Sequence, residues 1–315
     1  MEKGSKIKIL ITGALGHIGS KLIHNIEPGE FEEVRLIDNM LTQRFASLFN
    51  LPNDVNFKFF EDDILKADLC VLLDDVDCVV HLAAITDAAS SFERRDEIEK
   101  VNYDGTKQMA EACISSGAKL LFPSTTSVYG SQSEQVDETC PIEDLQPQSP
   151  YAEYKLKSEK MLERMGKNRG LQFVTCRLGT IFGTSIGMRF HTAVNKFCWQ
   201  AVMGQPLTVW KTAMDQKRPY LGVNDAVRAI KFVIKKELFD GDIYNIVSSN
   251  NTVRVIVNSI REFVQDLDVE LVDSEIMNQL SYNVLNNKFT SIGFSFRDDL
   301  NKEVKDTLKL LGRRN

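Results

Sequence analysis

Residues 7–19 read IKILITGALGHIG. The first six form a short apolar run of strand length, and Gly13 closes it. Gly13, Gly16 and Gly19 then recur every third residue before a helical pattern begins. The first glycine allows a tight turn, the second lets backbone approach a pyrophosphate, and the third lets a helix pack closely on the strand. N–H groups at the start of that helix favour an anion. The stretch therefore predicts strand, turn and helix around a dinucleotide, with Leu15, His17 and Ile18 between the glycines. His17, inside the turn, is expected to be exposed.

Outward from this unit the strand signals repeat. EVRLID (33–38), VNFKFF (55–60), DCVVHLAA (77–84), KLLFPS (119–124) and FVTCR (173–177) are separated by helix-length segments. One of these, NYDGTKQMAEACISS (102–116), stops at Gly117, as a helix end should. Strands alternating with helices predict a Rossmann-type doubly wound parallel sheet. In such sheets ligands sit at the carboxyl ends of the strands. Asp38 ends the second strand about 20 residues past the last glycine, where a carboxylate holds both adenosine ribose hydroxyls. It repels a 2′-phosphate, which predicts NAD rather than NADP, and Asn39 follows it. Asp63 and Ile64 end the third strand near the adenine, with Asp62 competing for that place. Leu82, Ala83 and Ala84 end the fourth, where small side chains let a cofactor pass; Thr86, just beyond, is a candidate substrate contact.

The second half reads differently. VNDAVRAIKFVIKKEL (223–238) is a helix expected to be capped by Asn224, and DIYNIV (242–247) is a strand. TVRVIVNSIREFVQDL (252–267) is a helix capped by Thr252. The segment 296–312 places Leu300, Val304, Leu308 and Leu311 on one helical face. The expected division is a cofactor domain over 1–180 and a smaller C-terminal α/β substrate lobe over 181–315, the chain interleaving between them.

With 43% hydrophobic and 26% charged residues, the 315-residue chain has an ordinary globular composition. A net charge of −6 and no basic stripe argue against nucleic acid as a partner. No run nears the roughly 20 apolar residues of a membrane span. The six cysteines form no CxxC pair, so buried free thiols and a reducing, cytoplasmic setting are expected. The four histidines show no metal-ligand spacing, and His81, within a strand, reads as a packed core residue.

Chemistry is carried by PYAEYK (150–155). Tyr151 and Lys155 lie four apart, on one helical face, and Pro150 suits a helix start. A phenol titrating near pH 10 is a poor base at neutral pH. A neighbouring ammonium and a nicotinamide cation both favour the phenolate. Tyr151 can then exchange a proton with a substrate hydroxyl while a hydride moves, and Lys155 can hold a nicotinamide ribose hydroxyl. Thr125 and Thr126, just past the fifth strand, offer hydroxyls to the reacting oxygen.

Taken in order, TGALGHIG, Asp38, DDI (62–64), HLAA (81–84), VNYDGT (101–106), STTSVYG (124–130), PYAEYK, RLGTIFG (177–183) and KRPYLGVNDAVRAI (217–230) resemble an extended short-chain dehydrogenase/reductase of the nucleotide-sugar epimerase/dehydratase group, UDP-galactose 4-epimerase-like, over nearly the whole chain. The resemblance implies an acid/base pair at Tyr151 and Lys155, the Ser/Thr position at Thr125, and an adenosine ribose contact at Asp38–Asn39. It implies a diphosphate contact at Arg218, a structural place near the site for Asn102, counted with the cofactor-binding residues, and a homodimer. The partner it implies is a nucleoside diphosphate sugar, oxidised or reduced at C4 with NAD.

The chain also departs from that pattern. Dehydratases of the group carry Thr-Asp-Glu where this chain has Thr125, Thr126 and Ser127, and the decarboxylases carry a glutamate at the place of Ser127. Neither activity is expected. Thr180 stands where the group has an asparagine against substrate, and Pro219 follows Arg218 where an aspartate is usual. A 4-epimerase is the leading expectation. A 4-dehydrogenase or ketoreductase, and then a reductase of non-sugar ketones, are the alternatives; a NAD-binding scaffold without chemistry would have no need of Tyr151 and Lys155.

Overall fold

A computed structural model describes residues 6–88, 90–130, 135–273 and 282–312. Seven strands form one sheet in the order 243–246, 173–178, 119–125, 78–81, 8–12, 33–38, 57–61. Every pairing in it is parallel. The chain winds outward from Lys8–Thr12 to one edge and then returns to build the other half from Cys78–His81. The reversal opens a crevice beyond the carboxyl ends of those two central strands.

Alternation along the strands feeds two cores. Ile9, Ile11, Val80 and Leu121 face one side, against the helices His17–His24 and Val223–Lys235. Leu10, Val79, Leu120 and Phe122 face the other, against Gly105–Ser116 and Pro150–Arg169. Cys78, Cys113, Cys176 and Cys198 are buried thiols, and all six cysteines are free.

Strand Phe173–Leu178 breaks at Gly179, where a Cβ would lie 3.0 Å from the Tyr220 carbonyl carbon. The chain then crosses to a second sheet. There Thr180–Phe182 pairs in parallel with Lys217–Gly222, which pairs antiparallel with Ser249–Thr252. Helices Ala193–Val202, Val253–Arg261 and Leu300–Leu310 cover this sheet around Phe182, Tyr220, Ile256 and Val304. The face Leu300, Val304, Leu308 is buried there, with Leu311 partly buried beside it. Between these elements, helix Val223–Lys235 and strand Ile243–Ile246 go back to the large sheet.

Several boundaries differ from the sequence reading. Residues Glu99–Asp104 form a π-helical turn, so the regular helix begins at Gly105. The third strand is Phe57–Glu61, and helix Val253–Arg261, capped by Thr252 through the Val255 N–H (3.3 Å), ends early. Asn224 is not a cap. Gly222 takes that position, and the helix start is satisfied from outside by Asp298, whose Oδ2 accepts from the Asp225 N–H at 2.8 Å. The Asn224 amide instead donates to Asp298 and Glu303, fastening the C-terminal helix. Among the described residues no helix is long and apolar enough to cross a membrane.

Candidate active site

The crevice is a cleft of about 790 Å³ running from the glycine turn into the second sheet. Gly13, Gly16, Ile18 and Gly19 line its floor. Gly13 has φ +62°, and a Cβ on it would sit 2.7 Å from the Ala83 nitrogen. On Gly19 it would sit 2.6 Å from the Gly13 and Ala14 carbonyl oxygens. Side chains are thus excluded where strand, turn and helix meet. His81 is buried and supports the turn from beneath: its Nδ1 pairs with the Thr12 hydroxyl at 3.0 Å, and that oxygen accepts from the Ala83 N–H at 3.0 Å.

Asp38 joins the turn to the second strand. Its Oδ2 accepts from the Leu15 N–H (3.1 Å) and its Oδ1 from the Met40 N–H (3.0 Å), while the carboxylate stays on the cleft wall. Asn39 also lines the wall and donates to Asp63 Oδ2 at 3.3 Å. Ile64 and both Asp62 and Asp63 reach the same wall. Leu82, Ala83, Ala84 and Thr86 line the opposite side of the turn.

Thr126 and His17 are placed otherwise than expected, and Leu15 and Asn102, counted with the cofactor site, stand behind the cleft wall. Leu15 is 1% exposed and packs into the core below the turn, so only its backbone belongs to the site. Asn102 does not line the cleft: its amide clamps the Ile85 backbone from behind, accepting from N–H and donating to C=O, both at 2.8 Å. Thr126 starts a tight 3₁₀ turn that rotates its hydroxyl away, toward the Leu178 carbonyl at 3.3 Å. His17 lines the cleft but is 3% exposed, because the loop after Phe182 folds over it. Its Nδ1 pairs with Ser185 Oγ at 2.7 Å, and the Gly187 N–H donates to Ser20 Oγ at 2.9 Å. Burial pushes His17 down to about 3, so it is neutral.

Tyr151 stands on the far wall in the first turn of Pro150–Arg169, a helix capped by Ser149 with proline at its start. Burial pushes its phenol above the usual tyrosine range, and the nearby Arg189 charge and Thr125 hydroxyl oppose that. Lys155, one turn on, is 3% exposed. Its Nζ donates to the Pro123 carbonyl at 2.7 Å and lies 4.6 Å from the Phe122 ring centroid. Burial lowers it to about 7, against the supporting charge of Glu159. Desolvation is thus the larger effect on Lys155, and the charge that opposes it comes from Glu159. Glu159 is itself held in a buried pair with Arg177 at 2.7 Å and accepts from the Ser124 hydroxyl.

Thr125, Thr180 and Arg218 line the same cleft. Sequence reasoning missed Arg189, which enters from the loop before helix Ala193–Val202. It also missed Ser127 and Gln148, which reach the wall beside Thr125. Nothing in GMRFH marks Arg189 locally; its place in the cleft comes from the tertiary contacts of the loop over residues 184–191.

A phenol, a buried amine and a hydroxyl converging beside a glycine turn suit proton exchange coupled to hydride transfer, and the class so defined is the extended short-chain dehydrogenase/reductase, an enzyme. The chain belongs to the NAD-dependent epimerase/dehydratase family, whose sequence model matches residues 9–247. NAD is the cofactor of that family, and the turn fits it: the cradle at Gly13 and Gly19 is closed to any Cβ, and Asp38 puts a carboxylate on the cleft wall beside it.

The chain is 30% identical over 268 residues to an uncharacterised UDP-glucose epimerase, YtcB, of Bacillus subtilis, covering 83% of this chain and 82% of that protein. It is 27% identical over 319 residues to a trifunctional UDP-glucose 4,6-dehydratase/UDP-4-keto-6-deoxy-D-glucose 3,5-epimerase/UDP-4-keto-L-rhamnose-reductase of Arabidopsis thaliana, of which it spans 46%. Its fold matches a UDP-glucuronic acid 4-epimerase from Bacillus cereus, solved with UDP-glucuronic acid and NAD, with TM-score 0.88 and 26% identity over 97% of this chain and 99% of that one.

Proposed function

We propose that the chain is a 4-epimerase of a nucleoside diphosphate hexose. The observation that carries this reading is the pairing of the Tyr151 phenol with the Thr125 hydroxyl on the cleft wall, where Thr126 and Ser127 bring no carboxyl group. Elimination of water across C5 and C6 needs an acid and a base there; exchange of a proton at O4 needs only the phenol. NAD held over the glycine turn would supply reversible hydride transfer at C4.

Tyr151 removes the O4 proton as the C–H bond breaks and returns it as the bond re-forms on the other face. Thr125 donates to or accepts from O4 and holds it in line. Lys155, held at the Pro123 carbonyl, would offer its ammonium to a ribose hydroxyl of the cofactor and favour the phenolate. Arg218 offers a planar pair of donors to the diphosphate, and Thr180 meets the sugar. The division at residue 180 into a cofactor domain and a substrate lobe belongs to this reading, as do a homodimer and a cytoplasmic setting, which six free cysteines suit.

The test is product analysis by NMR after incubating the NAD-loaded protein with UDP-, GDP-, CDP- and dTDP-hexoses. Appearance of the 4-epimer, with at least a hundredfold loss in Tyr151→Phe, supports it. Full turnover by Tyr151→Phe refutes the base. Net release of NADH and a ketone instead identifies a 4-dehydrogenase.

A further inference from the structure

We propose that the loop over residues 184–191 is a gate on the cofactor, tied shut by side chains that stand outside the cleft, and that its opening sets how fast the dinucleotide enters and leaves. The gate concerns the cofactor alone and holds whichever sugar reacts.

The loop belongs to the second sheet, where it joins strand Thr180–Phe182 to helix Ala193–Val202. Asn195, fully buried, accepts from the Gly183 N–H (3.1 Å) and donates to the Gly183 carbonyl (3.3 Å) and the Arg189 carbonyl (3.1 Å). Both ends of the loop are thus held at one place. Its middle is tied to the other sheet. Ser185 Oγ pairs with His17 Nδ1 at 2.7 Å, and the Gly187 N–H donates to Ser20 Oγ at 2.9 Å, both partners lying in the first turn of helix His17–His24. Gly187 rests on the glycine turn itself: a Cβ there would sit 2.7 Å from the Gly16 carbonyl oxygen and closer still to that of Leu15. A third tie runs from the Arg189 guanidinium, which donates through Nη1 to the Thr86 hydroxyl. Thr86 is firm support, since Asn102 clamps the backbone of Ile85 beside it.

These ties stand on both sides of the place where a dinucleotide lies. Helix His17–His24 follows strand Lys8–Thr12, and Thr86 follows the neighbouring strand Cys78–His81. In such sheets the ligand occupies the crevice beyond the carboxyl ends of those strands. The loop therefore joins the two segments that flank it. His17 shows how close the cover is, for it lines the cleft and is still 3% exposed. All three ties are made between protein groups, so they favour the shut loop with or without cofactor. Each is worth roughly a factor of five in the ratio of shut to open. Loosening one raises the rates of entry and exit together and leaves the affinity nearly unchanged. Losing a contact to the cofactor would instead speed exit and weaken binding in proportion. Ser185, Gly187 and Ser20 do not line the cleft, so a change at Ser185 or Gly187 reads the gate rather than a lost cofactor contact.

The experiment is stopped-flow measurement on the full chain with NADH, the fluorescent reduced form, following association directly and release by mixing with excess NAD. Ser185→Ala, which removes one hydroxyl, is expected to raise both rate constants about fivefold while Kd stays within about threefold of wild type. Gly187→Ala pushes a methyl into two carbonyl oxygens and is expected to raise both roughly tenfold or more. Wild-type rates in Ser185→Ala overturn the proposal, whether or not Gly187→Ala folds. Faster release with an unchanged association rate and a Kd weakened in proportion also overturns it, because the loop would then add affinity without gating. A wild type that binds no NADH removes the cofactor from the cleft and the gate with it.

Discussion

Replacing Lys155 by methionine should stabilise the NAD-free protein in mild acid while abolishing turnover. Lys155 is 3% exposed, and burial lowers it to about 7 from an ordinary value of 10.5. The sign follows from proton counting. Between about pH 7 and 10.5 the unfolded chain holds a proton on this residue that the folded chain has released, so this group's cost is greatest below 7 and fades as pH rises. From those two values the cost is roughly 4–5 kcal/mol at pH 6.5 and roughly 1 kcal/mol at pH 9.5. Methionine removes it but also loses the 2.7 Å bond to the Pro123 carbonyl and the contact with the Phe122 ring. Together these are worth roughly 1.5 kcal/mol. The variant should therefore be about 3 kcal/mol more stable at pH 6.5 and about as stable as the wild type at pH 9.5. Urea unfolding of both proteins at the two pH values measures this. A variant less stable at pH 6.5, or a difference that does not change with pH, would refute the account of Lys155 as a desolvated amine kept for catalysis.

Glu159→Gln leaves the Arg177 guanidinium, 3% exposed at its side chain, without its counter-charge, and should cost about 3–5 kcal/mol by urea denaturation. Glu159→Leu combined with Arg177→Met should recover most of that loss, and a double variant as unstable as the sum of its singles would contradict the electrostatic explanation. Gly19→Ala places a methyl 2.6 Å from two backbone carbonyl oxygens, so the turn must shift. Its NAD affinity should fall by tenfold or more while the unfolding midpoint drops by only a few degrees; unaltered NAD binding in fluorescence titration would show that the cradle is not where the dinucleotide lies.

The glycine turn was legible because its constraint is local: three positions in eight residues where backbone must pass close to backbone. Asp38, Tyr151 and Lys155 were legible for a similar reason, since strand ends and one-turn helical spacing follow from period alone. Side-chain direction was not. Thr126 and Leu15 adjoin true wall residues in sequence, but one tight turn aims each elsewhere. Asn224 looked like a cap because its own neighbours suit one, while the real partner, Asp298, comes from the far end of the chain. His17 and Arg189 were misjudged or missed because the loop over residues 184–191 covers one and delivers the other, a closure set by Ser185, Ser20 and Asn195 in tertiary contact.

The return of residues 223–246 to the large sheet has a consequence for anyone who would divide this enzyme. Helix Val223–Lys235 roofs one face of that sheet, over Ile9, Ile11, Leu121 and Val174, and Ile243–Ile246 closes its edge. A fragment ending near residue 180 would bare that greasy surface and leave the backbone of Phe173–Leu178 as an open template for aggregation. The large sheet is thus completed by chain from beyond residue 222, and the first 180 residues lack that covering.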